Sequence, residues 1–256
     1  MTAISRLKRL SDTLRWIRPL AGSLPGALWL VLKRKHNPDA LLTAQFNGKP
    51  LRFRGTDSNA LFEVFHEKEY GFLDPIISAS KFPIIIDVGA HIGTFALWVL
   101  DRNPSAHILS VEADPQTFVV LEKNNSLCQG AWEIVNRAAS NVDGAKIRFS
   151  TDGPTMSHRI SPDGALEVET VSLGWLLDRA AGNGLIDVLK VDIEGAEEQF
   201  VCAAPHLLPR VRCLVIELHP GLCDTDRVRK VINAHFKTIR DITGRHSKKP
   251  LLYCVK

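Results

Sequence analysis

Two stretches of this 256-residue chain place acidic residues and glycines at spacings that chemistry can use. The first is Asp87-Val88-Gly89-Ala90-His91-Ile92-Gly93-Thr94, which closes an apolar run beginning at Phe82. Glycines where a strand turns into a helix let backbone approach a ligand and leave early helical N–H groups to receive it. A dinucleotide fingerprint needs G-x-G-x-x-G, whereas three residues separate Gly89 from Gly93 here. Asp87 would also set a negative charge beside a pyrophosphate. It suits instead a cofactor with an ammonium and a sulfonium, and S-adenosylmethionine carries both. Glu112, in Ser110-Val111-Glu112-Ala113-Asp114-Pro115, ends the next strand, where a carboxylate can accept ribose hydroxyls. The cofactor set is therefore Asp87, Gly89, Ala90, His91, Gly93, Thr94, Glu112 and Ala113, with Asp114 read as a helix N-cap before Pro115.

The second constellation is Lys190-Val191-Asp192-Ile193-Glu194-Gly195-Ala196-Glu197 together with Ile216-Glu217-Leu218-His219-Pro220. In an open α/β sheet ligands bind beyond the carboxyl ends of strands, so Asp192, Glu194, Glu217 and His219 should gather on one rim. Transfer of a methyl group from a sulfonium mainly requires a positioned acceptor, yet an alcohol must also lose its proton. His219 is one candidate base, with an ordinary pKa near ~6.5; Asp192 and Glu194 are others. His158 is a further one, in the Gly/Pro/Ser-rich loop 151–164 that also holds Met156 and Arg159 and is expected to cover the acceptor. Alternatively Asp192, Glu194 and Glu217 hold Mg²⁺ through hard oxygen ligands. A carboxylate or histidine base is preferred, because three carboxylates are an incomplete ligand set. The plain alternative for each residue is structural: Glu194 and Glu197 at a helix N-terminus, His219 satisfied by backbone, and 151–164 as a surface loop.

A sheet must hold these residues in place. Buried strands are expected over 82–88, 107–112, 132–138, 187–191 and 212–218, alternating with helices over 94–102, 115–128, 173–180, 196–203 and 224–234. Shorter strands fit 146–150 and 168–172, and strands over 236–242 and 251–255 make a terminal hairpin. Upstream lie a strand at 51–54 and a helix over 61–70. This rhythm is that of a mostly parallel α/β sheet with helices on both faces.

Composition narrows the class further. With 45% hydrophobic and 23% charged residues the chain is an ordinary globular protein. Five cysteines without a C-x-x-C pair point to reduced thiols and a cytoplasmic setting. Residues 1–36 carry Arg6, Lys8, Arg9, Arg15, Arg18, Lys33, Arg34 and Lys35 against Asp12, a balance of +7 that leaves −3 for the rest of a +4 chain. Ile4, Leu7, Leu10, Leu14 and Ile17 recur at helical spacing, so this segment is a basic amphipathic helix. It is expected either to pack on the protein or to touch an anionic membrane at its inner face. The acidic body offers little to nucleic acid. Three regions are expected: the basic segment 1–36, an extension 37–80 and a catalytic domain 81–256.

These motifs together, above all the K-x-D-x-E-G-x-E string at Lys190 to Glu197, resemble those of FkbM-type methyltransferases over residues 62–217. The resemblance implies a class I methyltransferase (Rossmann-like) fold with seven strands ordered 3-2-1-4-5-7-6. It also implies S-adenosylmethionine-dependent O-methylation of a hydroxyl on a sugar, glycan, glycolipid or other natural product. His91 stands where the family commonly has Asn, and the family pattern leaves the base open. The rival readings are a Rossmann-type NAD(P) oxidoreductase and a non-catalytic scaffold of the same fold.

Overall fold

The computed structural model describes residues 3–153, 158–244 and 247–256. The chain divides into two compact units, Met1–Glu69 and Tyr70–Lys256.

In the first unit, helices α1 (Ala3–Ala21) and α2 (Leu24–His36) are followed by a hairpin of β1 (Leu42–Phe46) and β2 (Lys49–Phe53) and by a short helix α3 (Ser58–Leu61). Gly22, at φ +70°, breaks the helical run. Ser23 then caps α2, its hydroxyl accepting from the Gly26 N–H at 3.1 Å. The apolar face expected on α1 is only partly realised: Ile17 is buried but Leu10 is exposed, and the Ile4 and Leu7 side chains lie outside the described residues. Trp16 and Leu20 join Ile17 in the buried set instead. Helix α2 buries Ala27, Leu30 and Val31 and leaves Leu24, Leu28, Trp29 and Leu32 exposed. Among the described residues no helix is long and apolar enough to cross a membrane. The helix expected over 61–70 is only α3 followed by a π-helical turn, Phe62–His66.

The second unit opens with α4 (Asp74–Ala79) and then alternates as the periodicity predicts: β3 (Ile84–Val88), α5 (Thr94–Arg102), β4 (His107–Glu112), α6 (Pro115–Ser126) and β5 (Ala131–Asn136). A smaller four-stranded sheet intervenes, made of β6 (Ala138–Ala139), β7 (Lys146–Ser150), β8 (Arg159–Ile160) and β9 (Leu166–Val171). The chain continues with α7 (Leu173–Ala181), β10 (Ile186–Val191), α8 (Glu197–Val201), β11 (Val211–Glu217), α9 (Thr225–His235), β12 (Thr238–Asp241) and β13 (Leu251–Val255).

The main sheet has seven strands in the order β5-β4-β3-β10-β11-β13-β12. Numbered within the sheet, that is 3-2-1-4-5-7-6, the class I methyltransferase order. All neighbours are parallel except β13, which runs antiparallel to β11 and β12. Ile85, Ile86, Val88, Leu189, Val191, Leu214 and Ile216 are buried, as continuous apolar strands covered on both faces require. Two of the boundaries that differ from expectation follow from strand pairing. The strand expected over 132–138 ends at Asn136, since β6 leaves the main sheet to pair with β9. Part of the loop expected over 151–164 is strand, because Arg159 and Ile160 pair with β7.

Candidate active site

Strand order reverses between β3 and β10, and ligands of open α/β sheets bind in the crevice beyond such a switch point. A cleft of about 650 Å³, open mouth included, lies there. Gly89, His91, Glu112, Asp192 and Glu194 line it, with an apolar wall that includes Val111, Ala138, Phe149 and Ile160.

The glycine loop behaves differently from a phosphate cradle. The N–H groups of Gly89 and Ala90 both donate to the Val111 carbonyl at 2.9 Å, that of Gly93 to Ala90 at 2.8 Å, and that of His91 to Glu112 Oε2 at 2.7 Å. The Gly89, Ala90 and His91 donors fasten the loop to β4, and that of Gly93 closes the loop on itself. Gly89 itself, at φ +81°, is required by protein rather than by ligand: a Cβ there would lie 1.7 Å from the Asp192 carbonyl oxygen. Gly93 is tight for a similar reason, against Trp132 and Leu121.

Asp87 is completely buried and does not line the cleft. Its Oδ1 lies 3.2 Å from Lys190 Nζ, which also donates to the Gly89 carbonyl at 2.8 Å. Burial pushes the Asp87 carboxyl up, opposed by Lys190 and Ser110. The pair joins the ends of β3 and β10 at the switch point.

Glu112 is almost buried at the end of β4 and uses both oxygens on backbone: Oε2 accepts from His91 and Oε1 from Asp114 at 2.8 Å. Burial raises its pKa to about 7, against those hydrogen bonds and Lys190 and with help from Asp114. Asp114 caps α6 as expected, accepting from Gln116 N–H at 2.9 Å and Thr117 Oγ1 at 2.6 Å. It also binds His158, whose Nδ1 is 2.9 Å from Asp114 Oδ2. Burial alone would raise the Asp114 pKa, but Thr117, Gln116 and His158 outweigh it and hold the carboxyl below its usual value. His158 thus reaches the cleft on an ionised carboxylate, an arrangement the sequence separation of 44 residues concealed.

The rim carboxylates converge on His219. Its Nδ1 is 2.8 Å from Glu197 Oε1, and Nε2 faces Glu194 at 3.2 Å, Glu217 at 3.3 Å and Asp192 at 3.8 Å. Lys249 closes the cluster, with Nζ 2.7 Å from Glu194 and 3.4 Å from Glu217. Burial works against the charged imidazole, but Glu194, Glu197, Glu217 and Asp192 prevail and push His219 up to about 12. The expected base is therefore engaged by four carboxylates rather than presented free to the cleft. Asp192 is raised to about 6, chiefly by burial, with Lys190 opposing and Glu217 and Glu194 adding. Glu194 sits at φ +49°, a strained left-handed conformation for a side chain with a Cβ.

Of the expected cofactor residues, Gly89, His91, Glu112 and Ala113 line the cleft, while Asp87, Ala90, Gly93 and Thr94 are buried behind it or in its loop. Asp192, Glu194 and His158 also line it; Glu217 and His219 stand behind Asp192 and Glu194. Met156 lies outside the described residues. Sequence reasoning passed over Lys190 and Lys249. Lys190 had a signal, as a lysine inside the apolar stretch Val188 to Val191 of β10; Lys249 had none.

The model of the FkbM methyltransferase domain matches residues 87–242. A hexuronic acid methyltransferase of Haloferax volcanii is 26% identical over 165 residues, 62% of this chain and 66% of that one. A methyltransferase of Sordaria araneosa is 28% identical over 149 residues, 45% of this chain and 58% of its own length. The matches thus span somewhat under two thirds of these curated relatives. Among solved structures, FkbM methyltransferase of Methylobacillus flagellatus aligns with a TM-score of 0.47 at 14% identity, covering 68% of this chain and 44% of that one. With the domain match extending over more than half its length, the chain belongs to the FkbM methyltransferase family.

Proposed function

We propose that the chain is an S-adenosylmethionine-dependent O-methyltransferase acting on a hydroxyl of a sugar, glycan, glycolipid or other natural product. The observation that carries the cofactor reading is the spent glycine loop. A cleft in which the N–H groups of Gly89, Ala90, His91 and Gly93 are occupied, and whose acidic wall holds Glu112, Asp192 and Glu194, suits a cation with ribose hydroxyls better than a pyrophosphate. The cofactor, once bound, supplies an activated methyl group. Glu112 keeps lone pairs for the ribose hydroxyls, the acidic lining as a whole favours a cationic cofactor, and the apolar wall fits the adenine. The hexuronic acid substrate of the Haloferax relative supports a sugar hydroxyl as acceptor. Calorimetry with S-adenosylmethionine and with NAD tests this directly; binding of NAD alone would overturn it.

Affinity for S-adenosylmethionine should depend on pH through Glu112. As pH falls below about 7 its carboxylate takes a proton and loses acceptor capacity, so affinity should drop by up to ~10-fold per pH unit. Stability moves the other way. A carboxyl raised from 4.5 to about 7 by folding binds more protons in the native state, so its contribution falls as pH rises through that window. Glu112→Gln should flatten the binding profile; an unchanged slope in that variant removes Glu112 from the cofactor site.

For the proton of the acceptor, His158 fits best. Its Nδ1–H donates to Asp114 Oδ2 at 2.9 Å, which orients the ring, and an acceptor hydroxyl would take the place beside Nε2 that the Gly153 carbonyl holds at 3.3 Å. The hydroxyl proton passes to Nε2 as the oxygen takes the methyl group. His158→Ala should lower kcat by about 100-fold with cofactor affinity unchanged. Full turnover in that variant, on an identified acceptor, would retire the assignment.

A further inference from the structure

We propose that Asp192, Glu194, Glu217 and His219 form a binding site for one divalent cation of the Mg²⁺ and Mn²⁺ class, opening into the cleft. Two independent observations converge on it. One donor atom from each of the four residues lies within 4.8 Å of all the others. In addition, His219 is 2% exposed, and its Nε2 points into the carboxylates without making a hydrogen bond to any of them. Distances of 3.2, 3.3 and 3.8 Å from Nε2 resemble the edges of an octahedron. With metal–ligand bonds of about 2.1 Å, adjacent donors are about 3 Å apart and opposed ones about 4.2 Å. One N–H cannot serve three carboxylates, whereas a cation at their centre can.

The surrounding residues fit this use. Glu197, fully buried, binds Nδ1 at 2.8 Å, which fixes the ring and aims Nε2, the carboxylate–histidine–metal relay of metal centres. Three oxygens and one imidazole nitrogen suit Mn²⁺ as well as Mg²⁺, with the remaining positions left to water or to an acceptor hydroxyl. Asp192 and Glu194 line the cleft, so such a hydroxyl would meet the metal there. Lys249 is the cation now set against Glu194 and Glu217; its side chain is 40% exposed and can withdraw toward solvent. The sequence reading disfavoured a metal because three carboxylates were an incomplete set, and the fold supplies the fourth ligand. The metal's part in acidifying the acceptor rests on the methyl-transfer reading, but its binding does not.

The test uses the full chain and MnCl₂ alone, followed by electron paramagnetic resonance. The free Mn²⁺ signal should be lost with a stoichiometry of one per chain, and Glu217→Gln should weaken binding by about tenfold or more. Pulsed spectra of the wild-type complex should show nitrogen coupling from a directly bound imidazole, absent in His219→Gln. Circular dichroism confirms that each variant is folded, and if His219→Gln is not, the wild-type coupling and Glu217→Gln decide. No one-to-one binding at millimolar Mn²⁺, equal binding by Glu217→Gln, or no nitrogen coupling would each overturn the site. Calorimetry with S-adenosylmethionine on the same samples separates this outcome from the cofactor reading: Mn²⁺ bound without the cofactor leaves the metal site standing alone.

Discussion

Gly89→Ala is expected to destabilise the second unit by about 3–5 kcal/mol. Two penalties add. A left-handed φ of +81° costs an L-residue about 1–2 kcal/mol, and crowding at a packed site costs a further ~1–3 kcal/mol. The second stands at the upper end because the obstacle is backbone: the Cβ would lie 1.7 Å from the oxygen and 2.8 Å from the carbon of the Asp192 carbonyl. That peptide cannot step aside freely, since the Asp192 N–H donates to the Val88 carbonyl at 3.0 Å. Gly221→Ala is the control. It shares the positive φ, +86°, but nothing lies within 4 Å of its Cβ, so only the conformational ~1–2 kcal/mol applies. Thermal and urea denaturation of the two variants compare them. Equal losses would mean that Gly89 serves only the loop's conformation and not the junction of β3 with β10.

Breaking the Asp87–Lys190 pair should have an effect of similar size. Asp87→Ala leaves a lysine ammonium at 5% exposure with its charge partner gone, and removing one member of a buried pair typically costs about 3–5 kcal/mol. At roughly 2–4 °C per kcal/mol for a chain of this length, the melting temperature should fall by about 10 °C. Replacing both members, Asp87→Leu with Lys190→Met, should recover part of that loss, because no unpaired charge then stays buried. The recovery is incomplete because Lys190 also holds the Gly89 carbonyl. The same series asks what Asp87 is for. If the aspartate bound the cofactor's cationic groups directly, Asp87→Ala would lose cofactor affinity at unchanged stability, the opposite of the expected result.

That contrast sets the sequence reading of Asp87, as a cofactor residue, against the structural partners it has. Asp87 and Gly89 stand out in the sequence because an acid and a glycine close an apolar strand. A ligand is the ready explanation for both, yet their partners are Lys190 and the Asp192 peptide, about a hundred residues later. Glu112 and Asp114 were better served by sequence logic, since strand-end placement and N-capping are local. Even so, the capping carboxylate also holds His158, which no local rule could supply.

The alternation of strands and helices and the gathering of Glu112, Asp192 and Glu194 at one edge followed from the sequence itself, while the seven-strand order was implied by the family resemblance. Apolar periodicity fixes strands and helices, short connections and handedness limit their order, and strand ends place the acids. Which groups touch depended on the tertiary structure. Local pattern carries no information about a contact between β10 and β3, about Glu197 turning the His219 ring, or about Lys249 arriving from the terminal hairpin. Titration followed contact: His219, an ordinary histidine in sequence, has its pKa raised because four carboxylates surround it in a buried site, where charges act on one another far more strongly than in water.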